Sequence, residues 1–208
     1  MFLAPHNLTY PLNGGRNQCE APPIVTVDAA HTHKCGGVVF TMVMANAHNE
    51  IHPLAFAIAR VESKDSWLWF FQNCCAAMPQ LLAWGSKLVV IVDGNASIRW
   101  ASKRVLPSSN FFHCVKHRAR DVAKRFAAHA DKAKIYRLWW VVCGATCKRD
   151  CQAGLEEVRR VSPEAFDYFT TRPREESFPS YMPTCCGGKY TSNDAGTCAV
   201  SHCRCAPY

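Results

Sequence analysis

Hydrophobic and polar positions change period several times along the chain, and each change marks an element. Ile24, Val25 and Val27 form a short β-branched run of the kind a central strand needs, and Asp28 comes at its end. Residues 31–37 read as a polar turn closed by Gly36 and Gly37. Residues 38–45 form a strongly apolar strand, 46–50 a hairpin turn and 51–60 the returning strand. Three sequential strands joined by short turns predict an antiparallel meander with the acid on its first strand. Over residues 63–84 the period becomes helical, with Trp67, Phe70, Phe71, Cys74, Met78, Leu81 and Leu82 on one face and Ser63 or Asp65 available as cap. Residues 87–93, KLVVIVD, are a second fully apolar strand ending in an acid, and Gly94 follows Asp93 as if the backbone turns sharply there.

Further along, 96–105 reads as a short helix stopped by Pro107, 110–113 as a short strand and 114–128 as a basic helix. Residues 135–142 are apolar, and 147–160 and 163–170 predict further helices of an additional layer. The first 23 residues and those from Arg172 onward, rich in Pro and Gly and, in the tail, Cys, show little periodicity. The pattern divides the chain into an irregular lead-in (1–23), an α/β domain with the start of a helical insertion (24–170) and a Cys/Pro/Gly-rich tail (171–208).

Composition adds to this in three ways. No apolar run reaches the ~18 residues of a membrane span, and the opening MFLAPHNLTYPLNGG lacks the basic start and long apolar stretch of a signal peptide, so an intracellular protein is expected. Lys and Arg total 24 against 16 Asp and Glu, a formal charge of +8, and the basic residues concentrate over 103–148. That charge suits a polyanionic partner, a merely soluble surface being the other reading. Thirteen cysteines are an odd number in a chain that is neither small nor visibly exported, which favours reduced thiols or a metal site over a disulfide framework. Cys143, Cys147 and Cys151 recur at helical spacing and read as buried contacts along one helix face.

A carboxylate at the end of a buried strand needs a partner. Asp28 alone reads better as a turn cap than as a metal ligand. With Asp93 it forms a pair of acids ending two core strands, and such a pair converges on one side of the sheet when the strands are neighbours. Hard cations such as Mg²⁺ take oxygen ligands of this kind, and two ions bracketing a phosphodiester activate one oxygen and stabilise the other.

The run GGVVFTMVMANAHNEIHPLAFAIARVESKDSWLWFF after Asp28, then VVIVDGNASI, then VLPSSNFFHCVKH, resembles in order the central domain of Mutator-like element (MULE) transposases. The resemblance covers about residues 24–169. It implies an RNase H-like mixed sheet with flanking helices and a helical insertion after the second catalytic acid. It also implies catalysis by two Asp and one Glu on two Mg²⁺ or Mn²⁺ ions, which cleave transposon ends and transfer the freed 3′-hydroxyl strand into target DNA. By position, Asp28 corresponds to the first acid, Asp93 to the second, and Cys114 and His117 to the family's C-x-x-H pair. A thiol and an imidazole at i and i+3 share a helix face and suit Zn²⁺, but two ligands do not close a tetrahedral site, and packing or DNA contact is the other reading.

The family's third acid is expected in a segment that matches KYTSNDAGTCAV, where Gly196 occupies the Glu position; Asp194, Glu175 and Glu176 are the nearby acids. Cys198, His202, Cys203 and Cys205 in the tail are metal-capable residues at a spacing that fits no standard zinc motif. The resemblance implies double-stranded DNA as partner, met by Lys116, Arg118, Arg120, Lys124 and Arg125, a homo-oligomer in the transposition complex, and a nuclear site of action. The alternative is an inactive transposon relic or a domesticated DNA-binding protein that keeps the fold without the chemistry.

Overall fold

The computed structural model describes residues 2–3, 23–32, 36–45 and 51–182. A mixed sheet of six strands runs through it: β1 (Phe2–Leu3), β2 (Ile24–Thr32), β3 (Gly37–Ala45), β4 (Ile51–Ala59), β5 (Val89–Val92) and β6 (Asn110–His113). Their spatial order is β1-β4-β3-β2-β5-β6. The meander of β2, β3 and β4 is antiparallel as expected, whereas β5 and β6 add to β2 in parallel. Short turns suffice for the first half; parallel addition needs crossovers, and the helices supply them. This order and these directions are compatible with an RNase H-like sheet.

Two of the expected boundaries move. β2 does not stop at Asp28 but continues to Thr32, because β3 pairs with it throughout, from Val25 opposite Met44 to Thr32 opposite Gly37. Asp28 is therefore the fifth of nine strand residues, and what ends near it is the parallel pairing with β5, whose last pair is Thr26 with Ile91. Gly37 opens β3 where a Cβ would stand 2.8 Å from the Ala59 carbonyl oxygen, so only glycine permits this approach to β4. The helix expected over 63–84 splits into α1 (Lys64–Ala77) and α2 (Gln80–Ala83). Pro79 between them has no N–H to continue the ladder, and its ring opposes the preceding turn. Ser63 caps α1 in a reciprocal box with Ser66, its Oγ accepting the Ser66 N–H at 3.1 Å while the Ser63 N–H donates to Ser66 Oγ at 2.9 Å.

α3 (Ala96–Val105), α4 (Val115–Arg125), α6 (Lys148–Val161) and α7 (Pro163–Thr170) follow the expected pattern closely, and the apolar stretch over 135–142 proves to be part of a further helix, α5 (Lys132–Cys143). A last short helix, α8 (Arg174–Ser177), forms where periodicity is lost, since four residues are too few to show one. The sheet separates two cores. On one face Val25, Val27, Phe40 and Met42 meet α1 and α3, with the Phe40 and Trp67 rings stacked at 4.1 Å between centroids. On the other, Ile24, Val89, Ile91 and Phe112 meet α4 to α7 around the fully buried Trp139.

Candidate metal centre

The parallel register of β2 and β5 pairs Ile24 with Val89, Val25 with Val90 and Thr26 with Ile91. Carried two residues further, it sets Asp28 beside Asp93. β6 extends the row: Val92 pairs with His113, so the next position beside Asp93 is Cys114. Neighbouring strands lie about 4.8 Å apart, and alternate residues share a face. Ile24, Val89, Ile91, Phe112 and Cys114 all belong to the core on the α4 side, which puts Asp28 and Asp93 on that side by alternation. From Cys114 the chain turns directly into α4, and one helical turn later comes His117.

The charges of these groups act on one another. The His117 imidazole is raised above its ordinary value first by a hydrogen bond with Cys114; burial opposes this, and Asp28 and Asp93 both add to it. Both acids thus lie within electrostatic reach of one ring. Asp28 is only 8% exposed, and its Oδ1 accepts the Ala29 N–H at 2.9 Å. Asp93 is half-buried, its Oδ1 accepting the Asn95 N–H at 2.9 Å. Asn95 caps α3 through Ser97 at 2.8 Å and donates from its side chain to Glu62 Oε1 at 2.8 Å. Glu62 also takes the Trp67 indole N–H at 3.1 Å, so the start of α1 is tied to the loop that carries Asp93. On the Asp28 face, the hydroxyls of Thr26 and of Thr41, the latter cross-strand from Asp28, are buried without a hydrogen-bond partner among the described residues. Buried orphan hydroxyls next to a carboxylate make a polar spot suited to a hydrated ion.

Comparison with protein families matches residues 24–120 to the MULE transposase domain. Over this segment, just under half of its length, the chain is similar to that domain. The match runs from the first residue of β2 into α4, so it contains both acids and the Cys114/His117 pair. A search of curated proteins finds no match. The family points to a transposase-type function and with it to DNA interaction. Among the described residues no helix is long and apolar enough to cross a membrane.

Within the matched segment, Cys114, Asp28 and Asp93 all act on the His117 ring. Among the described residues no group of three or more His, Cys, Asp or Glu side chains is arranged to hold a metal ion. Mg²⁺ needs fewer from the protein: it keeps several waters and takes one or two carboxylates plus phosphate oxygens from its substrate. Asp28, Asp93 and the orphan hydroxyls fit that chemistry better than they fit Zn²⁺, which asks for three or four protein ligands.

The basic residues expected to face DNA separate into two kinds. Lys116, Arg120 and Lys124 are exposed at i, i+4 and i+8 and form one stripe along α4. Arg118 is corrected: it is 3% exposed, its guanidinium 4.7 Å from the Tyr168 ring and 5.7 Å from the Trp139 ring, and it has no surface to offer a phosphate. Arg125 is exposed and ion-paired with Glu164 at 3.2 Å.

Of the acids near the expected third position, Gly196 and Asp194 lie outside the described residues, as does the tail cluster of Cys198, His202, Cys203 and Cys205. Glu175 is exposed. Glu176 is engaged by Arg99 at 2.8 Å and by Lys103 at 2.5 Å, which leaves it committed to cations of the protein. Cys143, Cys147 and Cys151 do not line one helix face, because α5 ends at Cys143 and α6 begins after Cys147. The Glu62–Asn95 link carries little sequence signal beyond a Glu preceding a capped helix, since its partner is 33 residues away.

Proposed function

We propose that this chain provides the catalytic domain of a DDE-type DNA transposase of RNase H-like fold, cutting double-stranded DNA at element ends and joining the freed 3′-hydroxyl strand to target DNA. The observation that carries the reading is the shared row of Asp28 and Asp93 on adjacent parallel strands, with His117 in reach of both. In this reading Asp28 and Asp93 hold Mg²⁺ or Mn²⁺. Such ions activate the attacking oxygen of the phosphodiester and stabilise the leaving one. The chain's own residues bind and orient the DNA: Lys116, Arg120 and Lys124 line up phosphates along α4, and His117 offers an N–H donor toward the backbone at the acids. The work belongs to the nucleus and to a homo-oligomer holding paired ends.

A second reading, a relic or domesticated DNA-binding protein, is favoured by one feature: Gly196 stands where the family's Glu is expected, and Glu176 is already engaged. Incubating the purified chain with a DNA duplex carrying inverted-repeat ends and Mg²⁺ or Mn²⁺ separates the two. The catalytic reading expects metal-stimulated nicking that disappears in Asp28→Asn and Asp93→Asn while DNA binding persists. Salt-sensitive binding with no metal-stimulated nicking in the native chain would leave only the second reading.

A further inference from the structure

We infer that Arg172, from the helical layer beyond the matched segment, is a positioning residue for Asp93. The inference rests on the reading of Asp93 as a metal ligand. Asp93, Gly94 and Asn95 form the short link between β5 and α3. Asn95 is held by Glu62, as described. The other side of the link is held by Arg172, 78 residues away in sequence, whose Nη2 donates to the Gly94 carbonyl at 3.1 Å. Its Nη1 lies 2.8 and 2.9 Å from the two ring nitrogens of His113, the last residue of β6. His113 is 2% exposed, and its Nδ1 stands 3.4 Å from the Asp93 carbonyl oxygen.

Arg172 thus bridges the carbonyl of the residue after Asp93 to the His113 ring, whose Nε2–H faces Glu176 and whose Nδ1 accepts from the guanidinium. The bridge has a foundation. Glu176, four residues later, is 3.5 Å from His113 Nε2 and binds Arg99 and Lys103 of α3, the helix that the link opens into. The three cationic or ring partners fix α8 against α3 and β6, so the turn carrying Arg172 has little freedom to withdraw. A guanidinium suits this task because its fork reaches two acceptors at a fixed angle, which an ammonium does not. Orientation of a metal ligand by groups that do not touch the metal changes affinity by about 10- to 100-fold. Gly94 offers no side chain for such control, and the backbone carbonyl is what remains to be gripped.

The test uses the full chain with Arg172→Ala, Arg172→Lys and a control, Val158→Ala, which truncates the same helical layer without touching the link. Amide hydrogen exchange over residues 94–97 and Mn²⁺ affinity by electron paramagnetic resonance are both read, under conditions where each variant is folded. Arg172→Ala is expected to speed exchange at these amides by about tenfold or more and to weaken Mn²⁺ binding about tenfold. Arg172→Lys falls between it and the native chain, and Val158→Ala leaves both readouts unchanged. The assignment is overturned if Arg172→Ala keeps native exchange and native Mn²⁺ affinity, or if Val158→Ala reproduces its effects. Should Arg172→Ala fail to fold, Arg172→Lys decides alone, a native profile overturning the assignment. Failure of the native chain to bind Mn²⁺ would instead overturn the metal reading of Asp93, and exchange at the link would still decide whether Arg172 holds it.

Discussion

His117 reports on its neighbours. Its imidazole is raised by the bond to Cys114, against burial, and by the charges of Asp28 and Asp93. Removing either charge, as Asp28→Asn or Asp93→Asn, is expected to move the His117 titration midpoint downward in NMR-monitored titrations; an unchanged midpoint in both variants would separate the ring from the acids. The sign for stability follows. With the folded value above the unfolded value of about 6.5, His117 stabilises the fold fully below that pH, and the contribution is lost as pH rises through the folded value. Glu176 behaves oppositely. Burial would raise its carboxyl, but hydrogen bonds from His113, Lys103 and Arg99 outweigh burial and hold it well below the usual carboxylate range. Its contribution is present above the unfolded value of about 4.3 and is lost as pH falls toward the depressed one. Because Arg99 and Lys103 are over a third exposed, solvent screens the pairs, and Glu176→Gln should cost about 1–2 kcal/mol at pH 7 in denaturant unfolding. The difference from the native chain should shrink below about pH 4.

At the level of elements, α1 and α4 carry separate tasks. α1 closes one core through Trp67, fully buried and stacked on Phe40 of β3. Trp67→Ala should lower stability by about 3–5 kcal/mol, measured by urea unfolding, and should also free Glu62 from the indole N–H. α4 presents its cationic stripe. Replacing Lys116, Arg120 and Lys124 together with Ala should reduce the salt dependence of DNA binding by about two to three counterions without loss of fold, since all three are exposed; an unchanged slope would take the DNA path off this helix.

Strand and helix periods made most of these elements readable, including the two acids after their apolar runs, because buried strands of Val and Ile and helical faces of Trp and Phe are local patterns; the Cys114/His117 pair was picked out by the family resemblance alone. Two features were not local, and a third was local but masked. Asp28 reads as a strand end only while β3 is ignored, and its place in the row beside Asp93 comes from register. Arg118 reads as a surface cation until Trp139 and Tyr168, 21 and 50 residues on, close over it. Pro79 was visible, but the helical face continuing through Leu81 and Leu82 concealed the break.

For the molecule as a whole, the sheet works as a partition. One core, with α1 and α3, fixes the far side of the strands; the other, with α4 to α7, closes around Trp139 and brings Cys114 and His117 up to the carboxylates. The acids stand where parallel pairing between β2 and β5 runs out, on the α4 face of the sheet. Every strand the site uses, and the first turns of α4, fall within residues 24–120, the segment matched to the MULE domain. The central claim is that Asp28 and Asp93 act as one divalent-cation site. It is tested most directly by titrating Mn²⁺ into the native chain, Asp28→Asn, Asp93→Asn and the double variant. The account predicts a saturable site in the native chain, its loss in either single variant, and no further loss in the double. Saturable binding that survives in both single variants, or its absence from the native chain, would contradict it.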